Sequence, residues 1–103
     1  MKYVFHPQAL TEYSEVVEYY ARRRTELAQA LIDAVEDAIY RIKESPTRFP
    51  VIDEDIRRCL TRQFPYGIVY TIEPDYLLIL AVMHCSQEPG YWKSRRGQKP
   101  LES

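Results

Sequence analysis

With three glycines in 103 residues, the chain has little material for flexible linkers or low-complexity segments, and no internal repeat is visible. Its two cysteines, Cys59 and Cys85, are too few for a disulfide framework. No cluster of Cys and His has metal-ligand spacing, so no metal or cofactor is expected. The longest apolar run, Tyr76 to Met83, is far too short to cross a bilayer. The first residues, Met1 to Phe5, meet His6-Pro7 at once, so they do not read as a signal peptide. A cytoplasmic protein with reduced thiols and no membrane contact is expected. An excess of positive charge is also missing. Fourteen Lys and Arg stand against fifteen Asp and Glu, for a formal charge of −1, which argues against a general nucleic-acid binder.

What is present is the composition of a folded domain, 46% hydrophobic and 28% charged. The length suits one core, expected over residues 1–96, with a disordered tail over 97–103. A domain this small is only marginally stable alone, and a partner that binds the folded form would add stability. Nine tyrosines suit either an interface or the filling of strands and helix faces. Charge is uneven along the chain. From Tyr76 onward, Lys93, Arg95, Arg96 and Lys99 face only Glu88 and Glu102, so a local basic patch is expected there.

The pattern of apolar residues predicts an order of elements. Tyr3-Val4-Phe5 is β-prone and bounded by proline. Leu10, Tyr13, Val16, Val17, Tyr20 and Ala21 recur at three- and four-residue steps, with Glu12, Glu15 and Glu18 largely opposite, which predicts a helix. Pro7 is acceptable at its start, and Arg22-Arg23-Arg24 complements the negative end of its dipole. Thr25 is the expected N-cap of a second helix. Leu27, Leu31, Ala34, Val35, Ala38, Ile39 and Ile42 form its stripe, and Pro46 ends it. So short a link forces an antiparallel helix pair. Beyond Pro50 the period becomes that of strands: Ile56 to Arg62 with basic residues on both faces, Ile68 to Glu73, and Tyr76 to Met83. Asp53-Glu54-Asp55 and Glu73-Pro74-Asp75 read as turns. A short helix is expected within Glu88 to Arg96. The fold class is α+β: an N-terminal strand and a helix hairpin packed on a small sheet with a three-stranded antiparallel meander.

Three late pieces stand in fixed order: Arg57-Arg58 with Phe64-Pro65-Tyr66-Gly67-Ile68-Val69-Tyr70, then Ile79 to His84, then Pro89-Gly90-Tyr91-Trp92 and Arg95. Together with the order of elements they resemble the RelE/ParE toxin superfamily, nearest its ParE-like and plasmid-stabilisation members. The resemblance implies the toxin half of a bacterial type II toxin–antitoxin pair, silenced by a cognate antitoxin protein that alone contacts DNA. An extended or helical antitoxin segment would lay apolar anchors along the helices and sheet, and its acidic residues would pair with Arg57, Arg58 or Arg62.

The superfamily implies two activities, and fold does not separate them. RelE-like members cut mRNA on the translating ribosome. That chemistry needs proton transfer and cations for the phosphate. Here the candidates are His84 and Tyr91 for the proton, and Arg57, Arg58 and Arg62 for the phosphate. ParE-like members poison DNA gyrase without catalysis. For that activity Tyr91, Trp92 and Arg95 are the candidate contacts, since aromatics and arginine dominate interface energies. The long helix hairpin and a middle sheet without lysine favour the gyrase activity. A third reading keeps only antitoxin binding. Each candidate also has a structural role open to it: Phe64-Pro65-Tyr66 as a packed corner, His84 as a hydrogen-bonded strand end, Tyr91-Trp92 as packing of the tail. Cys59 is expected in the core. Cys85 beside His84 lacks the third, orienting group of a nucleophilic site.

Overall fold

The computed structural model describes residues 1–97, and the rest of the tail expected to be disordered lies outside them. The elements are β1 (Lys2–Phe5), α1 (Pro7–Arg23), α2 (Thr25–Glu44), β2 (Val51–Asp53), β3 (Ile56–Leu60), β4 (Tyr66–Ile72), β5 (Tyr76–His84) and a single 3₁₀ turn, Lys93–Arg95. They form an α+β sandwich with one five-stranded sheet in the order β1-β5-β4-β3-β2. The meander β3-β4-β5 is antiparallel, and β1 joins β5 in parallel from Lys2 opposite Tyr76 to Phe5 opposite Ile79.

Local chemistry explains the helix ends. His6 caps α1, its Nδ1 accepting the Gln8 N–H at 3.1 Å, and Pro7 follows at the first helical position. A single extended residue, Arg24, both ends α1 and opens α2. Thr25 is therefore already helical and is not the cap. The stripe of α1 also differs from expectation. Leu10 is half exposed and Ala21 is exposed, whereas Ala9 is fully buried. The packed face is Ala9, Glu12, Tyr13, Val16, Val17 and Tyr20, so a carboxylate sits among apolar neighbours. Leu31, Val35, Ala38, Ile39 and Ile42 carry α2 onto the sheet as the periodicity predicts.

The sheet is covered on both faces. Under the helices lie Cys59, Ile68, Tyr70, Leu77, Ile79 and Val82. The opposite face gathers Ile56, Val69, Leu78, Leu80, Ala81 and Met83 around Trp92. Both Leu80 and Ala81 reach this second face because the ladder shifts register between Val69 and Tyr70. The chain after His84 folds back to bring Trp92 there, its indole N–H pointing at the Met83 sulfur 3.2 Å away. The tail is pinned by Lys93 to Asp53 at 2.8 Å, and by Arg96 to Asp55 and to Glu73. The expected basic patch is thus neutralised internally at Lys93, Arg95 and Arg96, while Lys99 lies outside the described residues. Among the described residues, the short helix expected within Glu88 to Arg96 is the 3₁₀ turn Lys93–Arg95. Its positions are set by these anchors rather than by helical periodicity. β2 has no counterpart among the expected elements: three residues after a proline are too short to show a period.

Truncating Trp92 removes the centre of the second core. A Trp92→Ala change is expected to cost about 3–5 kcal/mol in urea unfolding, whereas Leu10→Ala, at a half-exposed position, is expected to stay within about 0.5 kcal/mol. Equal effects would contradict this assignment of faces. The tyrosines give a second expectation. Burial, first among the causes, pushes the hydroxyls of Tyr13, Tyr66 and Tyr70 up to about 12 from an ordinary 10.0. Between those values the folded chain holds more protons than the unfolded one. Stability is therefore full below pH 10 and falls as pH rises toward 12. Tyrosinate absorbance from these residues should appear together with loss of structure near pH 12. Their titration at the ordinary value with structure intact would overturn the assignment.

Candidate functional site

The candidate arginines do not converge. Arg57 and Arg58 are successive residues of β3, so they leave opposite faces of the sheet. Arg57 is half-buried and donates to the carbonyls of Thr47 at 3.0 Å and Phe49 at 2.6 Å, holding the loop between α2 and β2. Tyr70 fastens the same loop through its hydroxyl on the Pro46 carbonyl at 2.6 Å. Arg58 lies on the other face with its stem across Gly67. A Cβ at Gly67 would stand 2.8 Å from the Arg58 Cδ, so this position suits glycine. Arg62, exposed, reaches Asp37 at 3.3 Å, which also accepts from Arg41 at 2.9 Å.

His84 ends β5 on the helix side. Its Nδ1 accepts the Ser86 N–H at 3.0 Å and lies 2.8 Å from the Ser86 hydroxyl. A neutral ring therefore carries its proton on Nε2. The ring meets Tyr66 edge-on, with centroids 5.1 Å apart. Beside it opens a cleft of about 280 Å³. Glu12, Glu15, Val16 and Tyr19 of α1 form one wall; Tyr66, Val82, His84 and Gln87 form the other. Among these lining residues there is no lysine or arginine. The charge of Glu12 is matched by Arg95 at 2.8 Å, and no described cation pairs with Glu15.

Two of the tail candidates, Arg95 and Tyr91, converge on Glu12. Arg95, 8% exposed, donates to the Leu80 carbonyl at 2.9 Å and to Glu12 Oε2 at 2.8 Å. Its guanidinium lies 5.1 Å from the centre of the Tyr91 ring. The other oxygen of Glu12 accepts the Val82 N–H at 3.0 Å. Burial, then the charge of Glu12 and a hydrogen bond to it, pushes the Tyr91 hydroxyl well above its ordinary value. The shift disfavours the Tyr91 anion further and leaves the hydroxyl in the form a proton donor would use. Trp92 and Arg95 are turned inward, while Tyr91 keeps one edge in solvent.

Glu12 is the residue that the helical periodicity misplaced. A signal for it existed: Glu12 stands three residues after Ala9 and four before Val16, on the stripe itself. Cys59 is buried with its thiol pushed up by desolvation, as fits a core residue, and Cys85 is exposed. Among the described residues no three His, Cys, Asp or Glu side chains gather as a metal site, and no helix is long and apolar enough to cross a membrane.

Removing one partner of a largely buried ion pair strands the other. Glu12→Gln, which keeps an acceptor for the Val82 N–H, is expected to cost about 3 kcal/mol of stability. Glu15→Gln, on the exposed wall, is expected to stay within about 0.5 kcal/mol. Denaturant unfolding of the two variants decides it, and a cost at Glu12 no larger than at Glu15 would refute the role given to Glu12.

The chain resembles a solved structure described as the chromosomal ParDE TA system from P. aeruginosa. The TM-score is 0.71 at 11% identity, over 82% of this chain and 95% of that one, a likeness of fold. No curated protein matches the chain in sequence. A protein-family model described as ParE toxin of the type II toxin-antitoxin system parDE matches residues 3–89. With the match running from β1 through β5, the chain belongs to the ParE toxin family of type II toxin–antitoxin systems.

Proposed function

We propose that this protein is a type II toxin that acts by binding, with DNA gyrase as its target, and that a cognate antitoxin silences it. Membership of the ParE toxin family supports the toxin role. The observation that carries the choice of mechanism is the cleft at His84. A ribonuclease needs cations where charge develops on the phosphate. The one proton-transfer candidate facing a cleft has two carboxylates in its walls and no lining cation. The candidate arginines do not assemble at this cleft: Arg57 is held on the Thr47 and Phe49 carbonyls, Arg62 reaches Asp37, and Arg58 leaves β3 by the face opposite Arg57. Tyr91, the other proton-transfer candidate, lies against Arg95 and is not among the residues lining the cleft. A binding toxin needs none of these groups assembled.

A molar excess of the purified protein is expected to block supercoiling by gyrase in vitro and to leave mRNA on translating ribosomes uncut. Unimpaired supercoiling together with mRNA cleavage would reverse the assignment. Harmless expression in cells lacking the antitoxin, with neither activity, would leave antitoxin binding as its sole function.

A further inference from the structure

Among the described residues, Arg58 is the arginine with no hydrogen bond, ion pair or ring contact. The others each meet a carboxylate, a carbonyl, a hydroxyl or an aromatic ring. Arg58 is nonetheless held in place. It leaves the middle of β3 on the face turned away from the helices, with Leu60 two residues on and on the same side. Beside them on β4 is Gly67, buried although it has no side chain. The Arg58 stem lies over it: a Cβ there would stand 2.8 Å from the Arg58 Cδ, 2.9 Å from its Cγ and 3.5 Å from a Leu60 methyl. Arg58 is half-buried, and Leu60 is 50% exposed. The glycine is thus the floor beneath one guanidinium arm and one apolar side chain.

We propose that Arg58 and Leu60 form the contact with the toxin's protein target, and that they take a segment in which a carboxylate stands beside an apolar side chain. The inference rests on the binding reading above and names the surface that carries it. A guanidinium takes a carboxylate through two parallel hydrogen bonds. An arginine paired within its own chain would first have to give up its partner, and Arg58 has none to lose. Its stem is already packed, so less side-chain freedom is lost on binding. Arginine is among the residues on which interface energy concentrates, and Leu60 adds apolar area next to it. The distribution of charge favours a protein carboxylate over nucleic acid. The tail cations Lys93 and Arg96 are matched by Asp53, Asp55 and Glu73. Arg58 therefore acts as a single charge, whereas a phosphate backbone is held by several. The antitoxin is the other protein that could supply such a segment, and the experiment separates the two.

Purified full-length variants are compared in two assays, the block of gyrase supercoiling and affinity for the cognate antitoxin, with urea midpoints to establish that each is folded. Arg58→Glu is expected to weaken the block by about thirtyfold or more, and the milder Arg58→Gln, which carries the test should the charge reversal unfold the chain, by about tenfold. Leu60→Ser is expected to weaken it by about threefold to tenfold. Arg48→Glu makes the same charge change at an exposed position between α2 and β2 and is expected to alter it by less than about threefold. Antitoxin affinity is expected to stay within about threefold for all four. Variants at Arg58 and Leu60 that inhibit as the wild type does, or reversals at Arg58 and Arg48 that act alike, overturn the target contact and leave the gyrase reading standing. A loss of antitoxin affinity as large as the loss of inhibition gives the patch to the antitoxin and overturns it too. A wild-type chain that leaves supercoiling intact overturns both.

Discussion

In the stripe that α1 turns toward the sheet, one position is filled by a carboxylate. Glu12 stands between Ala9 and Val16 and spends both oxygens inside the molecule, one on the Val82 amide and one on Arg95. A charge so placed is tolerated only when it is paired and hydrogen-bonded. The pairing ties together three parts of the chain: the first helix, the edge of the longest strand turned away from β4, and the segment after it. Arg95 in turn lies against Tyr91 and grips the Leu80 carbonyl, beside the Trp92 that fills the second core. The placement of Tyr91 and Arg95 thus depends on a group that looks, in the sequence, like one more solvent-facing acid.

That arrangement accounts for how the basic residues are used. In a chain of near-zero net charge, several cations are paired with acids of the same chain: Lys93 with Asp53, Arg96 with Asp55 and Glu73, Arg62 and Arg41 with Asp37. Surface pairs of this kind contribute little stability singly. Their effect is geometric: Lys93 and Arg96 hold the described part of the tail against the β2–β3 and β4–β5 turns, which lie together at one end of the sheet. A cleft left without lysine or arginine beside His84 follows from this distribution.

The fold was largely legible in the sequence because its signals are periodic. The helix pair, the meander and the fully apolar β5 each occupy enough residues to show a period. The α2 stripe was read correctly from Leu31 to Ile42. β2 was not, because three residues carry no period, and the parallel partner of β1 was not, because nothing local encodes a neighbour some seventy positions away. The site was less legible. Arg57, Arg58 and Arg62 were visible as a basic group, but alternation along β3 sends the first two to opposite faces, and the third beyond the strand end to Asp37. Trp92 and Arg95 read equally well as surface anchors or as packing. Only the three-dimensional course of the tail separates those readings.

The first strand also has a consequence for how the chain is made. β1 lies near the amino terminus, yet its partner is β5, so the two wait for most of the translation product to appear between them. Contacts of such long range form slowly and late. The helix pair is local and takes shape early, but the sheet stays without one edge until β5 has left the ribosome, and without its second cover until Trp92 follows. Synthesis proceeds at about 5–20 residues per second, so a nascent chain spends seconds as a helical hairpin before a complete sheet exists. A domain built this way acquires the surface formed by β1, β5 and Trp92 later than that of its helix pair.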